Sequence, residues 1–199
     1  MKVANRVFLL SIIAVGLAAD KKEVHFSPGP ASSYPIKQTN EKVTIAVKAY
    51  DTEELSKTVF GKVNPYMHGV LPLLVVIQND TGKSLRLDRI QVNYIGPDRA
   101  KLENIPALEV KYVGANNRPR VSQSPLPTGI PRGRPKKGPL NAVEIETRAF
   151  AAKMLASGDS ASGFFYFQTG HRRGSKFYLT GITEATSGKE IFYFDIPLD

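Results

Sequence analysis

Residues 70–77 read Val-Leu-Pro-Leu-Leu-Val-Val-Ile, an apolar run with a proline near its start. Its length fits a strand, and its unbroken apolar character predicts a central strand that is buried on both faces. Asn79-Asp-Thr-Gly82 follows at once, and these residue types predict a turn. The sequence on either side of the run supplies further strands.

Alternating apolar residues mark these neighbouring strands. Residues 43–48 alternate apolar with polar or small side chains, which is the pattern of a half-buried strand. In residues 85–94 the apolar positions are odd before Asp88 and even after Arg89. This change of phase predicts a β-bulge or a crossing from one sheet to another. Residues 108–112 alternate again and predict one more strand.

Helical signals are few. Asp51 with Glu54 three residues later forms a capping-box pattern, and Gly61 can end a helix in a left-handed conformation, so residues 52–60 predict a short helix. Residues 143–153 mix strand-like alternation with helix-forming residues, which leaves both alternatives open. The chain closes with three predicted strands at residues 162–168, 176–182 and 190–196.

About eight short strands, one or two short helices and no β-α-β rhythm predict an all-β fold, a β-sandwich. The pattern resembles the immunoglobulin-like (Ig-like) sandwich domains of bacterial envelope proteins. The strand and turn at 70–80, the corner at 155–167 and the ending at 191–198 carry this resemblance. Together with residues 43–95 they are also similar to a group of uncharacterised exported bacterial proteins. The resemblance implies a fold and a location, but it does not indicate any particular activity.

The first 41 residues predict an export signal and a leader. In residues 1–19 two basic residues precede an apolar stretch that ends in small residues, which is typical of a cleaved signal peptide. An uncleaved N-terminal anchor is the alternative. Residues 20–41, with three prolines, predict a flexible leader. The sandwich domain is then 42–199, and we expect an exported protein, periplasmic or extracellular.

The positive charge is concentrated in one segment. The 199 residues include 27 Lys or Arg and 18 Asp or Glu, a formal net charge of +9. Residues 114–141 contain six prolines, four glycines, no acid and six basic residues, which predicts a disordered basic loop inserted in a nearly neutral domain. The basic residues are Arg118, Arg120, Arg132, Arg134, Lys136 and Lys137.

Within this loop, Pro-Arg-Gly-Arg-Pro-Lys-Lys at 131–137 resembles the AT-hook, a DNA minor-groove motif. The resemblance implies that Gly133 lets the backbone approach the floor of an A·T-rich groove, while Arg132 and Arg134 extend along it. It implies that the flanking residues turn the chain away and contact phosphates, namely Pro131, Pro135, Lys136 and Lys137. Contact with other polyanions and a solvated loop without a ligand are the alternatives. A second basic turn contains Arg172, Arg173 and Lys176.

Catalytic signals are weak. The chain has no cysteine, which excludes disulfides, thiolate metal sites and cysteine nucleophiles. Its three histidines lack metal-ligand spacing, and no cofactor motif occurs. Gly158-Asp-Ser-Ala-Ser-Gly163 superficially resembles the nucleophile stretch of trypsin-like proteases, with Ser160 as nucleophile and His68 as base. A turn before a strand explains the same residues. We therefore predict no catalytic residue, no metal and no cofactor.

Aromatic residues cluster near the C-terminus, where the last three predicted strands hold nine of the 18. They predict a phenylalanine-rich core, or a platform that stacks bases or sugars, with Tyr166, Tyr178 and Tyr193 most exposed. Overall, we expect a non-enzymatic binding or structural protein of the cell envelope. Its partners are unknown proteins or polyanions (anionic lipid, glycan, extracellular DNA) that contact sheet edges and the cationic loop. The alternative is a DNA-binding protein that uses the single AT-hook-like motif.

Overall fold

The computed structural model describes residues 26–114 and 138–199. The strands in these ranges are β1 (Lys37–Asn40), β2 (Val43–Ala49), β3 (Leu71–Asn79), β4 (Leu85–Arg86), β5 (Gln91–Ile95), β6 (Lys101–Glu103), β7 (Met154–Leu155), β8 (Ser160–Phe167), β9 (Lys176–Thr180), β10 (Thr183–Glu184) and β11 (Phe194–Pro197). The helices are α1 (Glu53–Phe60), α2 (Ala107–Val110) and α3 (Val143–Thr147), and 3-10 turns occupy Ala31–Ser33 and Tyr66–His68.

The strands form three antiparallel sheets. The main sheet has the order β1-β2-β3-β8, and the second has the order β11-β9-β5-β6. A small third sheet has the order β10-β4-β7. The prediction of a mostly β chain with few short helices is confirmed, although the described residues contain eleven strands rather than about eight.

β3 lies in the interior of the main sheet and is buried on both faces, as predicted. Its odd-numbered residues, such as Leu73 and Val75, face the second sheet. Its even-numbered residues Leu74 and Val76 join a separate apolar cluster. Because strand side chains alternate between faces, one strand contributes to two cores.

The inter-sheet core lies between the main sheet and the other two. β2, β3 and β8 supply aliphatic and aromatic side chains from one side, including Phe165 and Phe167. β5, β9 and β11 supply Tyr94, Phe177 and Phe194 from the other. Burying this much apolar surface is the main favourable term for a chain without disulfides.

The helix-side core covers the opposite face of the main sheet. Phe60 of α1, Val110 of α2 and Ile145 of α3 pack there against Phe164 and Tyr166 of β8. The ring of Phe164 lies 5.1 Å from that of Phe60. The main sheet is thus the middle of three layers, with helices on one side and the second sheet on the other.

Two local predictions are wrong. Residues 108–112 are not a strand: α2 covers 107–110, and Val110 is buried while Leu108, two residues before it, is exposed. The N-cap of α1 is Thr52 rather than Asp51, since the Thr52 Oγ1 accepts from the Leu55 N–H at 3.2 Å.

The flexible-leader prediction is also wrong over 37–40, where β1 pairs with β2. The hairpin turn consists of Glu41 and Lys42, both with positive φ, at 45° and 63°. Such turns usually carry Asn or Gly, so the sequence lacked the expected signal. Ala31, also in the predicted leader, is buried in the helix-side core.

The change of phase between 85 and 94 is a crossing between sheets, one of the two predicted alternatives. β4 belongs to the small sheet and β5 to the second sheet. The ambiguous segment 143–153 contains α3 and then, at Ala149, an isolated bridge to Phe164 of β8. The last predicted strand, 190–196, begins later, at Phe194.

Residues 148–150, which follow α3, cross Gly163 of β8 at short range. The Phe164 N–H donates to the Arg148 carbonyl at 2.9 Å, and the Phe150 N–H donates to the Phe164 carbonyl at 3.1 Å. A Cβ on Gly163 would lie 2.9 Å from the Ala149 carbonyl carbon and closer still to the Phe150 backbone. The glycine therefore permits the chain to seal the outer edge of β8.

We predict that Gly163→Ala lowers the free energy of unfolding by about 1–3 kcal/mol, because backbone on both sides has to shift. Urea denaturation followed by circular dichroism measures this change. Gly170→Ala is the matched control, since a Cβ there would meet only the Tyr66 hydroxyl at 3.9 Å. Equal stability of the two variants would contradict the close crossing.

Candidate functional site

The residues that flank the cationic segment 115–137 pack in the helix-side core. Val113 and Leu140 are 7% and 1% exposed, and both pack in that core. They bracket segment 115–137, so the described residues on both sides of it are anchored in the helix-side core. The predicted loop residues lie outside the described part of the chain: Arg118, Arg120, Arg132, Gly133, Arg134, Pro135, Lys136 and Lys137.

The rest of the domain is close to neutral. The described residues include 17 Lys or Arg and 16 Asp or Glu, a formal charge of +1. Several of these cations lie against carboxylates: Lys83 Nζ is 2.8 Å from Glu184, and Lys189 Nζ is 2.5 Å from Glu41. The body of the domain therefore adds little to the positive field of the loop.

The second basic turn is balanced by nearby acids. Both terminal nitrogens of Arg172 donate to the Asp98 carboxylate at 3.1 Å, and Lys176 Nζ lies 2.8 Å from Asp195. The hydrogen bonds from Arg172 hold the pKa of Asp98 below its ordinary value. Arg173, 97% exposed, has only a 3.9 Å approach to Asp199. These pairs join residues that are far apart in the sequence. The sequence therefore reveals the cations of this turn but not their acidic partners.

We predict that freeing Arg172 and Lys176 creates a polyanion-binding turn. In the double variant Asp98→Asn and Asp195→Asn, the chain should elute from immobilised heparin at higher salt, with a salt slope steeper by about two. The control is Asp51→Asn with Asp159→Asn, which removes the same charge where the described residues form no ion pair. Equal elution of both double variants would mean that only net charge matters.

Most of the C-terminal aromatics form core. The expectation that Tyr166 is exposed is wrong: it is 1% exposed, and its hydroxyl donates to the Ile145 carbonyl at 2.8 Å. Burial raises the pKa of Tyr166 far above its ordinary value. Tyr193 is 53% exposed, as expected, and Phe192 beside it is 69% exposed. The half-buried ring of Tyr178 lies 5.6 Å from that of Tyr193.

A cleft of about 570 Å³ opens between α2 and the end of β8. Sequence reasoning missed it, because its walls come from segments more than fifty residues apart. Within the described residues, its polar side chains make no hydrogen bond. With Glu109 as its one carboxylate, the lining offers no acid–base pair. The lining residues are Asn104, Ile105, Pro106, Glu109, Tyr112, Val113 and Gln168.

Ser160 and His68 are not brought together. Ser160 pairs with Gln78 at one end of β3, whereas His68 precedes Leu71 at the other end. Leu71 and Gln78 are seven residue steps apart along β3, roughly 23 Å at 3.3 Å per step. The two side chains therefore do not form a nucleophile–base pair.

The described residues contain neither a metal-ligand cluster nor a membrane-spanning helix. Among residues 26–114 and 138–199, no three His, Asp or Glu side chains converge as metal ligands. In the part of the chain that the structure describes, no helix has the length and apolar character of a membrane span. No protein-family model, curated protein or solved structure matches the chain.

Proposed function

We propose that the chain is an exported, non-enzymatic binding protein of the cell envelope, an Ig-like β-sandwich that contacts polyanions through its cationic loop. The observation that carries the proposal is the uneven charge. Residues 115–137 contain six cations and no acid, whereas the described residues have a formal charge of only +1. Both ends of this segment adjoin buried anchors, Val113 and Leu140.

Electrostatics support a polyanionic partner. Six cations in 23 residues without an acid produce a strong local field, and release of counterions from a polyanion favours binding. The ion pairs of the body keep its cations from competing for the same ligand. The AT-hook-like residues 131–137 favour A·T-rich DNA as the alternative partner.

Sheet edges are the second proposed contact. The outer edge of β8 is paired with residues 148–150 and with Ile105, whose N–H donates to the Tyr166 carbonyl at 2.7 Å. β1 and β11 meet at one corner, where the Asn40 amide donates to the Tyr193 carbonyl at 2.8 Å. β6 is the terminal strand at the other end of the second sheet, and it is the edge we assign to a protein partner.

We predict that Arg132→Ala with Arg134→Ala weakens polyanion binding and lowers the log–log salt slope by about two. The probes are alginate, phosphatidylglycerol vesicles, and A·T-rich and G·C-rich duplexes, each titrated at two salt concentrations. Arg89→Ala with Arg99→Ala is the control, because it removes equal charge from exposed positions of the body.

The outcomes separate the alternatives. Binding to all probes without base preference supports generic polyanion contact. An A·T preference that disappears with Arg132 and Arg134 supports the DNA alternative. No binding to any probe at low salt, or equal losses in both double variants, would overturn the proposal.

We predict that export removes residues 1–19. Mass spectrometry of the protein from separated cell fractions should find an N-terminus near Asp20 outside the cytoplasm. An intact Met1 in the cytoplasmic fraction would contradict export and would favour the DNA alternative.

A further inference from the structure

The outer face of the second sheet carries a second candidate site. Its strands turn their apolar residues inward, as Phe177 and Leu179 of β9 show. The intervening residues therefore point outward. The strand register aligns one row across all four strands: Asp195, Tyr178, Asn93 and Glu103. Asn93 in this row is only 5% exposed, so the accessible groups are those on either side of it.

Aromatic rings are exposed on this face. The rings of Tyr178 and Tyr193 are 5.6 Å apart with an angle of 30° between their planes. Tyr193 is 53% exposed, and its neighbour in the sequence, Phe192, is 69% exposed. Two adjacent aromatics left this open contribute nothing to the core, although large apolar side chains gain from burial.

Charges around the rings are balanced. Lys101 Nζ lies 5.8 Å from the centroid of the Tyr178 ring, and Glu103 lies two residues further along β6. On the other side, Lys176 Nζ lies 2.8 Å from Asp195 Oδ2. The other oxygen of that carboxylate, Oδ1, is buried and has no hydrogen-bond partner among the described residues. The face thus carries two lysines and two carboxylates, and their formal charges cancel.

We propose that this face binds a neutral oligosaccharide. The C–H face of a sugar ring packs on an aromatic ring, and its hydroxyls both donate and accept hydrogen bonds, which matches ammonium and carboxylate groups beside the rings. A single-stranded nucleic acid also stacks on aromatics, but it needs a positive groove for its phosphates. Asp195 and Glu103 oppose that ligand, so the charge balance favours the sugar.

The site is independent of the polyanion proposal. The cationic segment is attached on the helical side of the main sheet, and the aromatic face is the outer surface of the opposite layer. An Arg132→Ala and Arg134→Ala chain should therefore keep its affinity for sugar. Each proposal can fail while the other stands.

The test is titration of the full chain with cellohexaose, chitohexaose, maltohexaose and oligo(dT), followed by calorimetry and by tyrosine fluorescence, since the chain has no tryptophan. We expect at least one hexasaccharide to bind. Tyr193→Ala should weaken it about tenfold, as loss of a stacking ring does, and Tyr193→Phe should keep the affinity.

Tyr112→Ala is the matched control. Tyr112 is also partly exposed and has a lysine ammonium 5.6 Å from its ring centroid, but it lines the cleft beside α2. Unchanged affinity in this variant supports the proposal. No binding of any hexasaccharide, a loss with Tyr112→Ala but not with Tyr193→Ala, or binding of oligo(dT) alone that Tyr193→Ala abolishes, would overturn it.

Discussion

The burial of β3 on both faces is the constraint on which the rest of the structure depends. Its alternate side chains fill two separate cores, so a slip of one residue would exchange Leu73 and Val75 with Leu74 and Val76. The register also brings Val75 opposite Gly163, where the crossing chain leaves no space for a side chain. A strand with a free face tolerates polar substitution there, but this one has no free face. Helices and second sheet are both needed to cover it.

The charges of the described residues nearly cancel, since 17 basic and 16 acidic residues give a formal charge of +1. Arg172 with Asp98 and Lys176 with Asp195 each join positions that are far apart in sequence. Exposed pairs of this kind add little stability. Their main effect is to limit the positive field of the body. The positive charge of the protein is therefore concentrated in residues 115–137, which contain no acid. The polyanion and sugar proposals rest on these two different electrostatic environments.

Strong local patterns were predictable from the sequence, and contacts between distant segments were not. The apolar run of β3, the change of phase after Asp88 and the helix before Gly61 follow from periodicity and capping. β1 was not predicted, because the turn after it consists of Glu41 and Lys42 instead of the Asn or Gly that usually marks such a turn. The alternation at 108–112 wrongly predicted a strand, because α2 has only four residues and is too short to show a helical periodicity in the sequence. The aromatic face and the cleft are built across strands, and only the tertiary structure brings their residues together.

The corner where β1 meets β11 has a mechanical consequence. These are the first and last strands of the described domain, and between them the Asn40 amide donates to the Tyr193 carbonyl while the Gln38 side chain accepts from the Asp195 N–H at 3.0 Å. A tensile load applied between β1 and β11 would act directly on this corner. Side-chain bonds of this kind share the load less evenly than a continuous backbone ladder does. The domain would therefore yield at this seam while the two cores around β3 are still intact.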